Sequence, residues 1–249
     1  MTPHARYVLR LADSNLVLAQ RLGEWAGHAP ALEEDLGLAN VSLDLLGQAR
    51  ILLAHAGQLE GRGRGEDELA YLREESEYYN LTLVEQPNGD FGDTIMRQFL
   101  FDAWQLGLYE ALLGSSDATL AAVAAKGRGE AAYHLRYSGG WVERLGDGTA
   151  ESHARVAASL ARLWPYTQEL FVDDDVERAA SEAGIGVLPS TLEGAFAART
   201  GETLARATLA RPAKTAFQWY GKQGRHSEHL GYLLAEMQSL HRAHPGATW

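Results

Sequence analysis

The chain has 249 residues, 46% of them hydrophobic and 22% charged, with a net charge of −11. That length is ample for a buried core, and the acidic balance without any Lys/Arg cluster argues against nucleic acid as the main partner. Cysteine is absent, which excludes disulfides and thiolate metal sites and makes a reducing cytoplasm the expected location.

The N-terminal stretch "MTPHARYVLRLADSN" has no apolar core ending in a cleavage site, so no signal peptide is expected. No uninterrupted run of about 18 apolar residues occurs, so no membrane span is expected.

Apolar residues recur at helical spacing nearly everywhere. A first helix is expected from about Ala5 to Ala26, ended by Gly27 and Pro30. A second runs from about Leu32 to Leu59 and has few purely polar faces. A connection of about thirty residues follows, Glu60 to Gly89, holding the short acidic helix "EDELAYLREESEYYN" and the turn "QPNGD". The third long helix spans Phe91 to Leu113 and is closed by Gly114. Asp117 caps the fourth, which stops at Gly146, and Thr149 caps a fifth that reaches about Leu170. Shorter helices are expected near Asp173–Ala183, Thr191–Ala210 and Ser227–Arg242. "LTLVEQ" is the only candidate strand.

Long helices joined short–long–short match a ferritin-like bundle with one long crossover connection. The expected fold is therefore all-α: one domain over 1–249, with a bundle core at about 5–170 and extra C-terminal helices at about 171–249.

Bundles of this layout hold carboxylate-bridged di-iron centres through one Glu from each of two helices and Glu-x-x-His from each of the others. Residues three apart share a helix face, so both side chains reach one metal pair. The nine histidines are preceded at that spacing by Met1, Trp25, Leu52, Ala131, Ala150, Gln223, His226, Gln238 and His241. None is acidic.

In "KGRGEAAYHLRYSGGWVERLGDGT", His134 stands where a surviving ligand would, but Ala131 occupies the carboxylate position. Glu130 is one residue off, about 100° around the helix. In "VSLDLLGQAR", Asp44 has Gly47 where its histidine belongs. Asp102 in "FLFDAWQ" and Asp13 in "RLADSN" complete the acids at comparable places, each a methylene shorter than Glu. No bound metal is expected. Asp44, Asp102, Glu130 and His134 are read as vestigial metal-site positions forming a buried or half-buried polar network, with Asp44 and His134 inside the bundle.

The pair His226 and His229 in "RHSEHLGYLLAEMQ" has metal-compatible spacing, yet a capped helix docking Leu230, Leu233, Leu234 and Met237 is the favoured reading. "YGKQGRHSE" puts glycines and basic groups before a helix N-terminus without a Walker A pattern. No Gly-x-Ser-x-Gly nucleophile elbow appears. The aromatics Trp104, Trp141, Trp164 and Trp219 are read as core or interface residues.

Four segments in order, "YVLRLADSNLVLAQRLGEWAGHAPALEEDLGLANVSLDLLGQAR", "LVEQPNGDFGDTIMRQFLFDAW", "AAYHLRYSGGWVERLGDGT" and "GRHSEHLGYLLAEMQSLHRAHPGATW", resemble the C-type, non-catalytic subunits of the bacterial ring 1,2-phenylacetyl-CoA epoxidase. The resemblance covers nearly the whole chain and is weakest over 173–216. It implies a ferritin-like fold and a catalytic A-type partner that holds the di-iron centre. It also implies further small subunits, and a reductase with flavin and iron–sulfur groups fed by NADPH. The implied reaction adds one oxygen atom to the ring of phenylacetyl-CoA in aerobic phenylacetate catabolism. This chain would hold no cofactor and no catalytic residue.

The resemblance places the CoA ester near the subunit boundary, with Glu77, Tyr78, Tyr79, Asn80, Arg178, Ala179 and Ala180 as contact candidates. Tyr78 and Tyr79 equally suit anchoring of the crossover. The competing readings are an autonomous metal-dependent oxidoreductase using Asp44, Asp102, Glu130 and His134, and a plain helical binding module.

Overall fold

The computed structural model describes residues 1–215 and 219–247; the last two residues of the quoted C-terminal segment lie outside it. The described residues form nine α-helices and four short 3-10 helices, with no strand. The candidate strand "LTLVEQ" is turn and irregular backbone.

The helices are α1 Pro3–Gly23, α2 Leu32–Glu60, α3 Glu66–Tyr71, α4 Phe91–Leu112, α5 Ala118–Gly146, α6 Ala150–Leu163, α7 Asp175–Glu182, α8 Glu193–Arg206 and α9 Glu228–Ala243. Caps account for most starts. Thr2 accepts the amide of Ala5 with Pro3 in the first turn, Asp117 accepts those of Thr119 and Leu120, and Thr149 accepts that of Ser152. The expected fifth helix divides: α6 ends at Leu163 and a 3-10 helix continues over Trp164–Phe171. Pro165 has no amide hydrogen to extend the α-helical ladder.

The chain gathers into two compact units, residues 1–87 with 220–249, and residues 88–219. Segment 171–219 thus packs with the second unit and 220–249 with the first.

In the first unit α1 and α2 pair along their lengths, α3 packs on α2, and α9 packs on α3 and α1. The crossover 61–87 is mostly non-helical, so its backbone amides and carbonyls need partners if buried. The buried polar side chains of α1 supply them. Ser14 Oγ accepts the Leu81 amide at 3.1 Å. Arg21 donates to the Glu85 carbonyl at 2.8 Å, and Asp13 Oδ2 accepts the Tyr79 amide at 2.8 Å. Asp13 also pairs with Arg73, both side chains buried, through Nη1–Oδ2 at 3.0 Å and a second Nη2–Oδ1 bond. Arg73 then donates to the carbonyls of Leu69 at 2.5 Å and Glu77 at 2.8 Å.

In the second unit α4 and α5 pair along their lengths, with α6 and α8 against both. α4 is buried on almost every side. Gly127 on α5 faces the Tyr109 ring of α4, and a Cβ there would lie 2.6 Å from it. The glycine thus sets how closely these helices approach.

One sequence expectation needs amendment. By length and composition α2 is long and apolar enough to cross a bilayer, with a mean hydropathy of 1.2 over an 18-residue window. Asp44, Gln48 and Arg50 break the uninterrupted run but not the average.

Removing one partner of a buried pair leaves an uncompensated charge. Arg73→Met should therefore cost about 3–5 kcal/mol of unfolding free energy in urea titrations, and Asp13→Leu a similar amount. The double variant should cost clearly less than the sum. Strict additivity would show that the two side chains do not act on each other.

Candidate functional site

In the second unit the central polar cluster lies between α4 and α5. Gln98 and Asp102 are one turn apart on α4, and His134 and Ser138 are one turn apart on α5, so each pair shares a helix face. All four are fully buried. Gln98 Nε2 donates to Asp102 Oδ1 at 2.6 Å. Ser138 Oγ lies 2.7 Å from Asp102 Oδ2 and 2.9 Å from the His134 carbonyl. Burial pushes the Asp102 carboxyl up from 3.8 to about 6, opposed by the neighbouring His134 and by the bonds from Ser138 and Gln98.

Within α4 and α5 this cluster offers one acid and one histidine. Both oxygens of the acid already accept protein donors. Among the described residues, neither unit taken by itself brings three His, Asp or Glu ligand atoms within 4.8 Å of one another. These groups do not fit a carboxylate-bridged metal pair, which draws on four carboxylates and two histidines. The other vestigial positions lie apart from the Gln98–Asp102–Ser138 bonds. Glu130 is half-buried and meets Lys126 Nζ at 3.1 Å on its own helix, as its 100° offset from the Ala131 position requires. Asp44, half-buried, belongs to α2 of the first unit. Asp13, fully buried, is committed to Arg73 and Tyr79.

The crossover residues proposed to meet a CoA ester divide by burial. Tyr78 is fully buried. Its hydroxyl donates to the Ala70 carbonyl and accepts from Gln238 Nε2 at 3.0 Å. The Arg73 guanidinium sits 4.1 Å from its ring centroid, and burial holds the phenol well above its usual range. Asn80, also fully buried, donates to Glu85 Oε2 at 3.0 Å. Glu77 is exposed, and Tyr79 is half-buried beneath the Arg6 guanidinium at 4.7 Å. In the second unit Arg178 is exposed and 3.3 Å from Asp175, Ala179 is half-buried, and Ala180 is buried with its carbonyl capping the turn after α7.

Glu85 and His226 form a pair that sequence reading does not bring together. They are 141 residues apart and both side chains are inaccessible. His226 Nδ1 is 2.9 Å from Glu85 Oε2, and Nε2 is 2.9 Å from the Tyr78 carbonyl. Both ring nitrogens thus face acceptors, an arrangement only the imidazolium satisfies. Burial works against that charge, but the bonds from Glu85 and the Tyr78 carbonyl outweigh it and the pKa rises above 6.5. Glu85 Oε1 also accepts the Ser227 amide at 2.6 Å, so a crossover carboxylate serves the start of α9 in place of the Ser227 hydroxyl. The usable signal was an acid inside the apolar stretch "LTLVEQ". His229 has its carbonyl bonded to Arg21 at 3.3 Å, and the His226–His229 spacing serves this packing.

Comparison with known proteins adds two findings. Residues 1–249 match the family described as "Phenylacetic acid catabolic protein". The chain is 53% identical over 243 residues to a protein of Escherichia coli (strain K12) named as the C-type subunit of 1,2-phenylacetyl-CoA epoxidase, covering 98% of each chain.

Two pH dependences follow from the buried groups. Folded Asp102 binds its proton up to about pH 6, against 3.8 for its ordinary value. Its contribution to stability is full below 3.8 and declines as pH rises to about 6. Asp102→Asn should therefore gain stability relative to the parent across that interval in urea titrations; a pH-independent difference would refute the assignment.

His226 contributes fully below 6.5 and loses its contribution as pH rises through the raised folded value. The stability gap between the parent and His226→Gln should narrow as pH rises past 6.5. A gap that widens would mean that the ring is held neutral.

Proposed function

The chain belongs to the phenylacetic acid catabolic protein family, and from that premise we propose that it is the non-catalytic, structural subunit of a phenylacetyl-CoA ring epoxidase. In this reading it pairs with and stabilises a catalytic subunit in aerobic phenylacetate catabolism. The Escherichia coli relative, named as a component of such an epoxidase, supports the assignment through its 53% identity.

The observation that carries the non-catalytic role is the self-bonded cluster of Gln98, Asp102, His134 and Ser138. Its polar groups are used within the chain, and the set has one acid where a metal pair needs several. Di-iron in the catalytic partner supplies dioxygen activation, with flavin, iron–sulfur groups and NADPH reaching it through a reductase. The work of this chain is positional. Its packed core gives the partner a rigid face, and no proton or electron step is assigned to its residues.

Contact with the CoA ester near the subunit boundary falls, in this reading, to the open side chains among the candidates. Glu77, Tyr79 and Arg178 have accessible polar groups. Tyr78, Asn80 and Ala180 are buried and act by shaping the segments that present them. A cytoplasmic location fits a cysteine-free chain serving a CoA-ester pathway.

The test is to purify the chain alone and with its co-expressed catalytic subunit, then count iron and measure ring epoxidation. Iron should track the catalytic subunit, and this chain alone should hold far less than one equivalent and show no turnover. About two iron atoms per isolated chain, with activity, would overturn the proposal.

A further inference from the structure

The outward face of α2 is apolar over most of its length. Leu32, Leu36, Leu43 and Ile51 are exposed by 70%, 56%, 63% and 47%. At 100° per residue the four fall within about 100° of one another on the helix. Half-buried Ala39, Leu46, Gly47 and Ala54 fill the same face between them. A Cβ at Gly47 would meet nothing within 4 Å, so the middle of the strip is open. Asn40, Arg50 and Gln58 are its exposed polar members, and Arg50 is held by Glu66 at 3.0 Å.

From Leu32 to Ala54 the strip is about 33 Å long at 1.5 Å per residue. Its four exposed large side chains alone present roughly 400 Å², within the range where a patch on a monomer is often functional. That is about half of the ~800 Å² each partner contributes to a standard interface. Core helices of soluble proteins direct such residues inward; α2 directs one set inward and a second set out.

We propose that this face of α2 is the docking surface for an apolar helix of a different chain. The inference rests on the preceding reading, which makes the different chain the catalytic subunit, and it names the face that subunit covers. Three observations select a heterologous helix. The relative is named as one subunit of an epoxidase, so other chains accompany it. A second copy is disfavoured because each chain carries −11, and like charge opposes association. Antiparallel self-pairing centred on Leu43 would also set Arg50 against Leu36 of the other copy. A lipid surface is disfavoured because membrane-lying helices carry Lys and Arg along the polar face, whereas the first turn of α2 carries Glu33, Glu34 and Asp35.

The experiment uses the full chain co-expressed with its catalytic subunit, comparing the parent, the double variant Leu36→Glu/Leu43→Glu, and Tyr232→Glu, which alters an exposed residue of α9. Circular dichroism and thermal unfolding of the isolated chains establish that all three fold. The α2 double variant should bind the catalytic subunit at least about 100-fold more weakly, with Tyr232→Glu unchanged. Parental affinity in the double variant would overturn the inference while leaving the subunit role intact. A parent that fails to bind the catalytic subunit at all would remove the reading beneath it. Two further results would each assign the face to another occupant and overturn the inference. One is micromolar self-association of the parent that the double variant abolishes. The other is flotation of the parent, but not the double variant, with phosphatidylcholine/phosphatidylglycerol vesicles.

Discussion

The Asp13–Arg73 pair fixes the course of the crossover, and the architecture of the first unit depends on that course. An ion pair removed from water is poor evidence of net stability, because desolvation offsets much of the attraction. Its value here is geometric. Asp13 accepts from Arg73 and from the Tyr79 amide, while Arg73 donates to the Leu69 and Glu77 carbonyls. One pair thus defines where the chain leaves α3, turns through 75–77 and returns over α1. An apolar pair of equal volume could fill the space but could not bond those backbone groups.

The same logic extends along the crossover and ties it to the C-terminal segment. Arg10 donates to the Lys222 carbonyl at 3.0 Å, Arg21 to those of Glu85 and His229, and Gln238 to that of Arg73 at 3.0 Å. Residues 220–249 therefore belong with the N-terminal helices. The imidazolium of His226, the carboxylate of Glu85 and the amide of Ser227 complete this join. Irregular backbone can be buried only where side chains replace water as its bonding partner, and the polar content of α1 exists for that purpose.

Helix positions were legible because apolar spacing and caps are local. Asp117 and Thr149 announce α5 and α6 in sequence and cap them in the structure. The break at Leu163 was available in Pro165 but is easily overridden by the apolar pattern on either side. The missing acid one turn before His134 was equally local, and it correctly singled out Asp102 and His134 as buried polar positions. The long-range partnerships were not legible. Asp13 looked like a remnant ligand because nothing nearby reveals Arg73, 60 residues on. Tyr78 and Asn80 looked like ligand contacts because burial of a polar side chain depends on partners such as Gln238 and Glu85 that only the fold supplies.

The polar cluster of α4 and α5 shows a physical limit on turning a metal-binding layout into a scaffold. Replacing every polar group by an apolar one would remove desolvation costs, yet Asp102 remains fully buried with its pKa pushed to about 6. It is tolerable because Gln98 and Ser138 hydrogen-bond its two oxygens, while Ser138 also reaches the carbonyl of His134. A buried carboxylate without those bonds would be far costlier. Single substitutions toward an apolar centre would strand one of these partners at each step. The polar set is thus stable against stepwise loss even though it carries out no chemistry. The outward face of α2 has no such internal constraint. Its leucines are retained where water disfavours them, which is the pattern expected when the selecting contact lies on another molecule.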